Sequence, residues 1–145
     1  MTPDGPTDEQ LLTAAGSARH SRVLVRGELA GLAVAVVDAN GDGALYECVT
    51  MNRRGGEWRE STSGSAGILA QGWSSGVAYA YGRTPGAENV QVSLRGTPAT
   101  VPVGTNGWWL VLVPAEEDDE FDLSAVPPPL QLRHRRGRRP PRIAG

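Results

Sequence analysis

Residues 90–113 constrain the fold of this chain more than any other stretch. Val90, Val92 and Leu94 alternate with Gln91, Ser93 and Arg95, the period-two signature of a strand with one buried and one wet face. Gly96-Thr97-Pro98 breaks the run. Ala99, Val101 and Val103 resume it, and Gly104-Thr105-Asn106-Gly107 breaks it again. Trp108-Trp109-Leu110-Val111-Leu112-Val113 follows, apolar at every position, which predicts a strand covered on both faces. Three strands in succession, joined by short turns, predict a small β-rich domain.

The remaining residues extend that prediction. Thr7-Asp8-Glu9-Gln10 matches a capping box, with Thr7 as N-cap and Gln10 reaching back. Leu11, Leu12, Ala15 and Ala18 then give an apolar face, so one short helix is predicted over residues 8–20. Residues 23–26 read as a strand, turned by Gly27-Glu28. Residues 29–37 are apolar throughout, and Val34, Val36 and Val37 favour strand over helix. Asn40-Gly41 and Asp42-Gly43 are hairpin-turn pairs. A strand over 45–53 returns, Arg54-Gly55-Gly56 turns, and residues 57–61 form a short polar edge strand. The Gly- and Ser-rich residues 61–75 read as a crossover loop between two groups of strands. Residues 77–81 open the second group.

The domain layout is therefore an N-terminal arm and short helix over 1–20, a β domain over 21–114, and a tail over 115–145. The tail holds six acidic residues in the seven positions 116–122, then Pro127-Pro128-Pro129, then six arginines between Arg133 and Arg142. Such segregated charge with proline breaks predicts disorder. The expected fold class is mainly β. It is a two-sheet antiparallel sandwich, immunoglobulin-like or else a partly open barrel, with one short N-terminal helix and a disordered C-terminal tail.

Composition narrows the chemistry. There is no lysine among the 14 basic residues, a bias expected of a GC-rich coding sequence. Cys48 is the single cysteine, which excludes an internal disulfide and cysteine-rich zinc sites. Residues 1–10 have neither the basic nor the apolar region of a secretory signal. The apolar run over 29–37 is far short of a membrane span. A cytoplasmic protein with no membrane partner is expected.

Asp38, Asn40 and Asp42, with Gly43 completing the loop, begin like a calcium-binding EF-hand loop. Val49 then stands where the bidentate Glu belongs. A weak Ca²⁺ site remains the only metal candidate, against the simpler reading of a hairpin turn. Nucleophilic catalysis needs a base beside the nucleophile. The two histidines are His20, at a helix end, and His134, in the tail, so a Cys48–His20 dyad is the only foothold. Ser63-Gly64-Ser65-Ala66-Gly67 lacks the first glycine and the following helix of a nucleophile elbow. Glu57 and Glu60, three apart on a strand, point to opposite faces and cannot act as a catalytic pair. No catalytic residue and no cofactor is predicted.

Two groups of residues suit binding. Trp73, Tyr79, Tyr81 and Trp109 would stack on a sugar or small ligand if exposed, whereas a small sandwich would use the same rings as core. Arg133, Arg135, Arg136, Arg138, Arg139 and Arg142 would dock electrostatically on a protein or nucleic acid, or fold back on residues 116–122. The favoured function is a non-catalytic binding or scaffold domain with a protein partner or a second copy of itself, paired through an edge strand such as 57–61. Carbohydrate or small-ligand binding through the rings, and a nucleic-acid accessory role through the arginines, are the alternatives.

Val77-Ala78-Tyr79-Ala80-Tyr81-Gly82-Arg83-Thr84-Pro85-Gly86 and Asn106-Gly107-Trp108-Trp109 resemble segments of uncharacterised small β-rich proteins of actinobacteria. The resemblance implies a bacterial protein with an immunoglobulin-like or sandwich-like fold. It carries no activity with it.

Overall fold

The computed structural model describes residues 5–14, 21–39, 41, 43 and 45–127. It opens on helix α1 (Asp8–Ala14), capped as the sequence predicts. The Thr7 N–H donates to Gln10 Oε1 at 2.8 Å, and the Gln10 N–H donates to Thr7 Oγ1 at 3.1 Å. Residues 15–20 of the predicted helix lie outside the described residues. Ten strands follow: β1 (Arg22–Leu29), β2 (Leu32–Asp38), β3 (Tyr46–Arg54), β4 (Glu57–Ser65), β5 (Leu69–Ser74), β6 (Val77–Arg83), β7 (Asn89–Leu94), β8 (Thr97–Pro102), β9 (Trp108–Pro114) and β10 (Phe121–Asp122). All strand pairs are antiparallel. No helix among the described residues is long and apolar enough to cross a membrane.

The mainly β, sandwich-like architecture is as expected, but its strands fall into three sheets. The first has the order β1-β2-β3-β4, the central one β5-β6-β9, and the third β10-β7-β8. Side-chain alternation stacks them. Ala33, Ala35, Val37, Val49 and Met51 leave the first sheet on its outer face and pack with Leu11 of α1. Leu32, Val34 and Val36 leave the other face and meet Val77, Tyr81 and Trp108 of the central sheet. Ala78, Ala80 and Trp109, on the far face of that sheet, meet Val90, Val92, Val101 and Phe121. Strands β2 and β6 are thus covered on both faces, which explains why their sequences are apolar without alternation.

Several local expectations need correction. The turn after β1 is not Gly27-Glu28. Gly27 lies inside β1, where a Cβ would stand 2.9 Å from Leu112 Cδ1 and 3.1 Å from Leu110 Cδ2. Glycine there admits the leucines of β9, and the first and central sheets come together along β1 and β9. The chain instead reverses at Ala30-Gly31, with φ of 52° and 82°, so that Leu29 pairs with Leu32. Two positive φ values are what a two-residue hairpin demands. Ala30 accepts the strained one because the ladder on either side fixes the register.

Residues 61–75 are not a crossover loop. Strand β4 runs on to Ser65 and β5 begins at Leu69, so only residues 66–68 connect them. Small polar side chains suit strands at the rims of two sheets, where little apolar surface needs covering. Nor does the ordered chain stop at Pro114. Ala115, Phe121 and Val126 are buried among the residues of the third sheet. Phe121 pairs with Leu94 and Asp122 with Ser93. Phe121 lies inside the acidic run and Ala115 and Val126 flank it, and one carboxylate of the run, Asp119, is itself largely covered, accepting from the Glu116 N–H at 2.8 Å and pairing with Arg95 at 3.4 Å.

Candidate functional site

The four rings singled out from the sequence do not share a surface. Trp109 is fully buried, and its indole N–H donates to Thr84 Oγ1 at 3.1 Å. Trp73 is partly buried on the same face of the central sheet, donating to the Ala115 carbonyl at 2.9 Å. Tyr79 and Tyr81 lie on the opposite face, against the first sheet. Tyr81 is buried. The half-buried Tyr79 lies across Gly72, its strand partner, where a Cβ would stand 2.5 Å from the Tyr79 hydroxyl. A stacking platform needs several exposed faces turned the same way, and this arrangement offers none.

The turn after β2 consumes Asp38. Its carboxylate is buried and accepts from the Gly41 N–H at 3.0 Å and the Gly43 N–H at 2.9 Å. Arg22 Nε approaches at 3.8 Å. Side-chain bonds of this kind from aspartate to amides a few residues on stabilise a turn. Asn40 and Asp42 lie outside the described residues. Among the described residues no group of three or more His, Cys, Asp or Glu comes together to hold a metal. His20, His134 and the arginines at 133, 135, 136, 138, 139 and 142 also fall outside them.

Cys48 sits between the first and central sheets with Tyr79 and Tyr81. Burial pushes its thiol above the usual range, partly opposed by a hydrogen bond from the Tyr81 hydroxyl. A thiol held protonated is a poor nucleophile. Burial likewise raises both tyrosines, and the nearby Cys48 charge adds to it. In the unfolded chain these groups ionise near 9.0 and 10.0. Above pH 9 the unfolded chain therefore releases protons that the folded chain retains, and stability falls as pH rises. Urea midpoints should hold steady from neutral pH to about pH 8 and drop steeply through pH 9–11. A Cys48→Ala/Tyr81→Phe double variant should lose much of that slope. An unchanged slope would place the alkaline transition elsewhere.

The feature most open to a partner is β4. It ends the strand order of the first sheet, and among the described residues no strand pairs with its outer side. Eight of its nine residues are exposed. The Ala66 N–H donates to Tyr46 O at 2.9 Å, continuing the ladder in which Gly64 faces Cys48 and Thr62 faces Thr50. By antiparallel alternation, Thr62 and Gly64 turn their backbone groups inward, and Ser63 and Ser65 turn theirs to solvent. The Thr50 and Thr62 hydroxyls meet at 2.6 Å and hold this half of the strand in register.

Natural edges are blunted by charge, proline or bulges. The first half of β4 has Glu57, Arg59 and Glu60, and a bulge follows opposite Thr50 and Met51. Past that bulge, at Ser61, the second half, Thr62-Ser63-Gly64-Ser65, has no charge and no proline. Trp58 and Glu60 lie on the helix-side face of the strand. Pairing of Glu60 with Met51 and of Trp58 with Arg53 places them there. With Glu9, Gln10, Thr13, Ala14 and Met51 they line a hollow of about 440 Å³ between α1 and the edge. The sequence places Trp58 and Glu60 on the edge strand 57–61, but nothing in it brings them together with α1. The hollow is invisible in the sequence because α1 packs there through tertiary contacts that no local pattern encodes. Compared with protein-family models, with curated proteins and with solved structures, the chain matches none.

Proposed function

We propose that this protein is a non-catalytic binding domain that takes up an extended segment of a partner protein along β4. The observation that carries the reading is the outward backbone of Ser63 and Ser65, in a stretch past the bulge that is held in register on one side and carries neither charge nor proline. Strand addition supplies affinity through main-chain hydrogen bonds and specificity through pockets for alternate side chains. Both elements are present, the second as the hollow beside Trp58. The opposite edge of the same sheet is less available, because β1 lies against β9 and Asn106 Nδ2–H donates to the Leu24 carbonyl at 2.8 Å.

The test is Ser63→Pro. Proline removes one outward N–H and no inward one, so the fold should survive with a change under about 0.5 kcal/mol. Binding of a panel of nine-residue extended peptides, threonine alternating with one test residue, should protect the Ser63 and Ser65 amides from hydrogen exchange in the parent protein. Ser63→Pro should abolish that binding. Peptide binding that survives the substitution, or protection confined to other strands, would reject β4 as the site.

A further inference from the structure

Resting on strand addition at β4, we infer that the incoming segment carries an arginine on its helix-side face, seated in the hollow that Glu9, Trp58 and Glu60 line. A strand laid on β4 projects alternate side chains over the same face as Trp58, Glu60 and Ser63. Those side chains form the missing wall of the hollow that Glu9, Gln10, Thr13, Ala14, Met51, Trp58 and Glu60 line.

The chemistry of that wall selects a cation. Glu9 and Glu60 are both exposed, and neither forms an ion pair among the described residues. Among the described residues Glu60 accepts from Ser63 Oγ, at 3.2 Å. Trp58, half-buried in the same lining, offers a ring to a guanidinium, which stacks on aromatic faces and pairs with carboxylates through a planar fork. Arg53, the strand partner of Trp58, lines a separate hollow of about 260 Å³ and not this one. The larger hollow thus carries two carboxylates and no cation of its own. A neutral or acidic side chain entering it would leave those charges unanswered.

The experiment uses the full chain and three peptides of one design: nine residues, threonine alternating with arginine, with citrulline or with glutamate. Citrulline keeps the shape of arginine and removes its charge. The arginine peptide should bind about tenfold more tightly than the citrulline peptide at low salt, with the advantage shrinking as ionic strength rises. The glutamate peptide should bind weakest. Glu9→Gln/Glu60→Gln should bring the arginine and citrulline peptides level, and Trp58→Leu should narrow their difference. Equal binding of the two by the parent protein, with Ser63 and Ser65 still protected, overturns the arginine inference and leaves strand addition standing. An arginine preference that survives Glu9→Gln/Glu60→Gln overturns it as well. Failure of every peptide to bind sinks both readings together.

Discussion

Trp109→Ala should lower the unfolding free energy by about 3–5 kcal/mol, read as a fall in the urea midpoint. Three observations make this the most damaging single truncation in the domain. Trp109 is wholly buried between the central and third sheets, in contact with the largest apolar cluster. Its ring occupies the space over Gly82, its strand partner, where a Cβ would come within 2.8 Å of Cζ2. No neighbouring side chain can swing into the vacated volume from that strand, because glycine has none. The indole N–H is also the donor to the buried Thr84 hydroxyl, and deleting it strands a polar group at a further cost of about 1–3 kcal/mol. Trp109→Phe separates the two effects: it keeps most of the ring and loses the donor, so its cost should fall between. A loss below about 1 kcal/mol for the alanine variant would mean that the two sheets collapse onto each other freely. The interior would then be less specified than its packing implies.

Much of this architecture was legible because alternation survives wherever a strand has one wet face. Val90, Val92 and Val101 announced β7 and β8 in that way, and the capping pair Thr7 and Gln10 announced α1. The failures have three physical causes. At Gly27 the reason for the glycine is a close approach by leucines some eighty positions along the chain, so a local turn rule misfires. Over residues 61–74, strand structure depends on ladder partners rather than on apolar content, and Ser61, Thr62, Ser63 and Gly64 look like loop from composition alone. The candidate site suffers from both problems at once. Its edge is legible over 57–61, but the continuation to Ser65 is hidden in a Ser-rich run, and its hollow is lined jointly by Glu9 of α1 and Glu60 of β4. The ring-rich positions carried two readings, ligand platform or core, and Trp109 and Tyr81 are buried because a small multi-layered core needs bulk.

Phe121→Ala should cost about 3 kcal/mol or more of global stability, although Phe121 is embedded in the most acidic stretch of the chain. The ring is buried among the residues of the third sheet. Its backbone is held on both sides. It pairs with Leu94 on β7, and on the other side the Gln71 side chain stands in for a strand. Gln71 Nε2–H donates to the Phe121 carbonyl at 3.0 Å, and the Phe121 N–H donates to Gln71 Oε1 at 2.7 Å. This amide clamp ties β5 of the central sheet to β10 of the third. Loss of the ring should therefore expose the Val90 and Val92 amides to exchange as well as loosening residues 115–127. Neutralising Glu117 or Asp118, both exposed, should shift stability by no more than about 0.5 kcal/mol. The contrast between Phe121 and its acidic neighbours is the discriminating measurement. If Phe121→Ala frees only the local segment and leaves the β7 amides protected, residues 115–127 are an appendage to the third sheet. If the β7 amides open with it, those residues complete the sheet, and the domain extends to Val126.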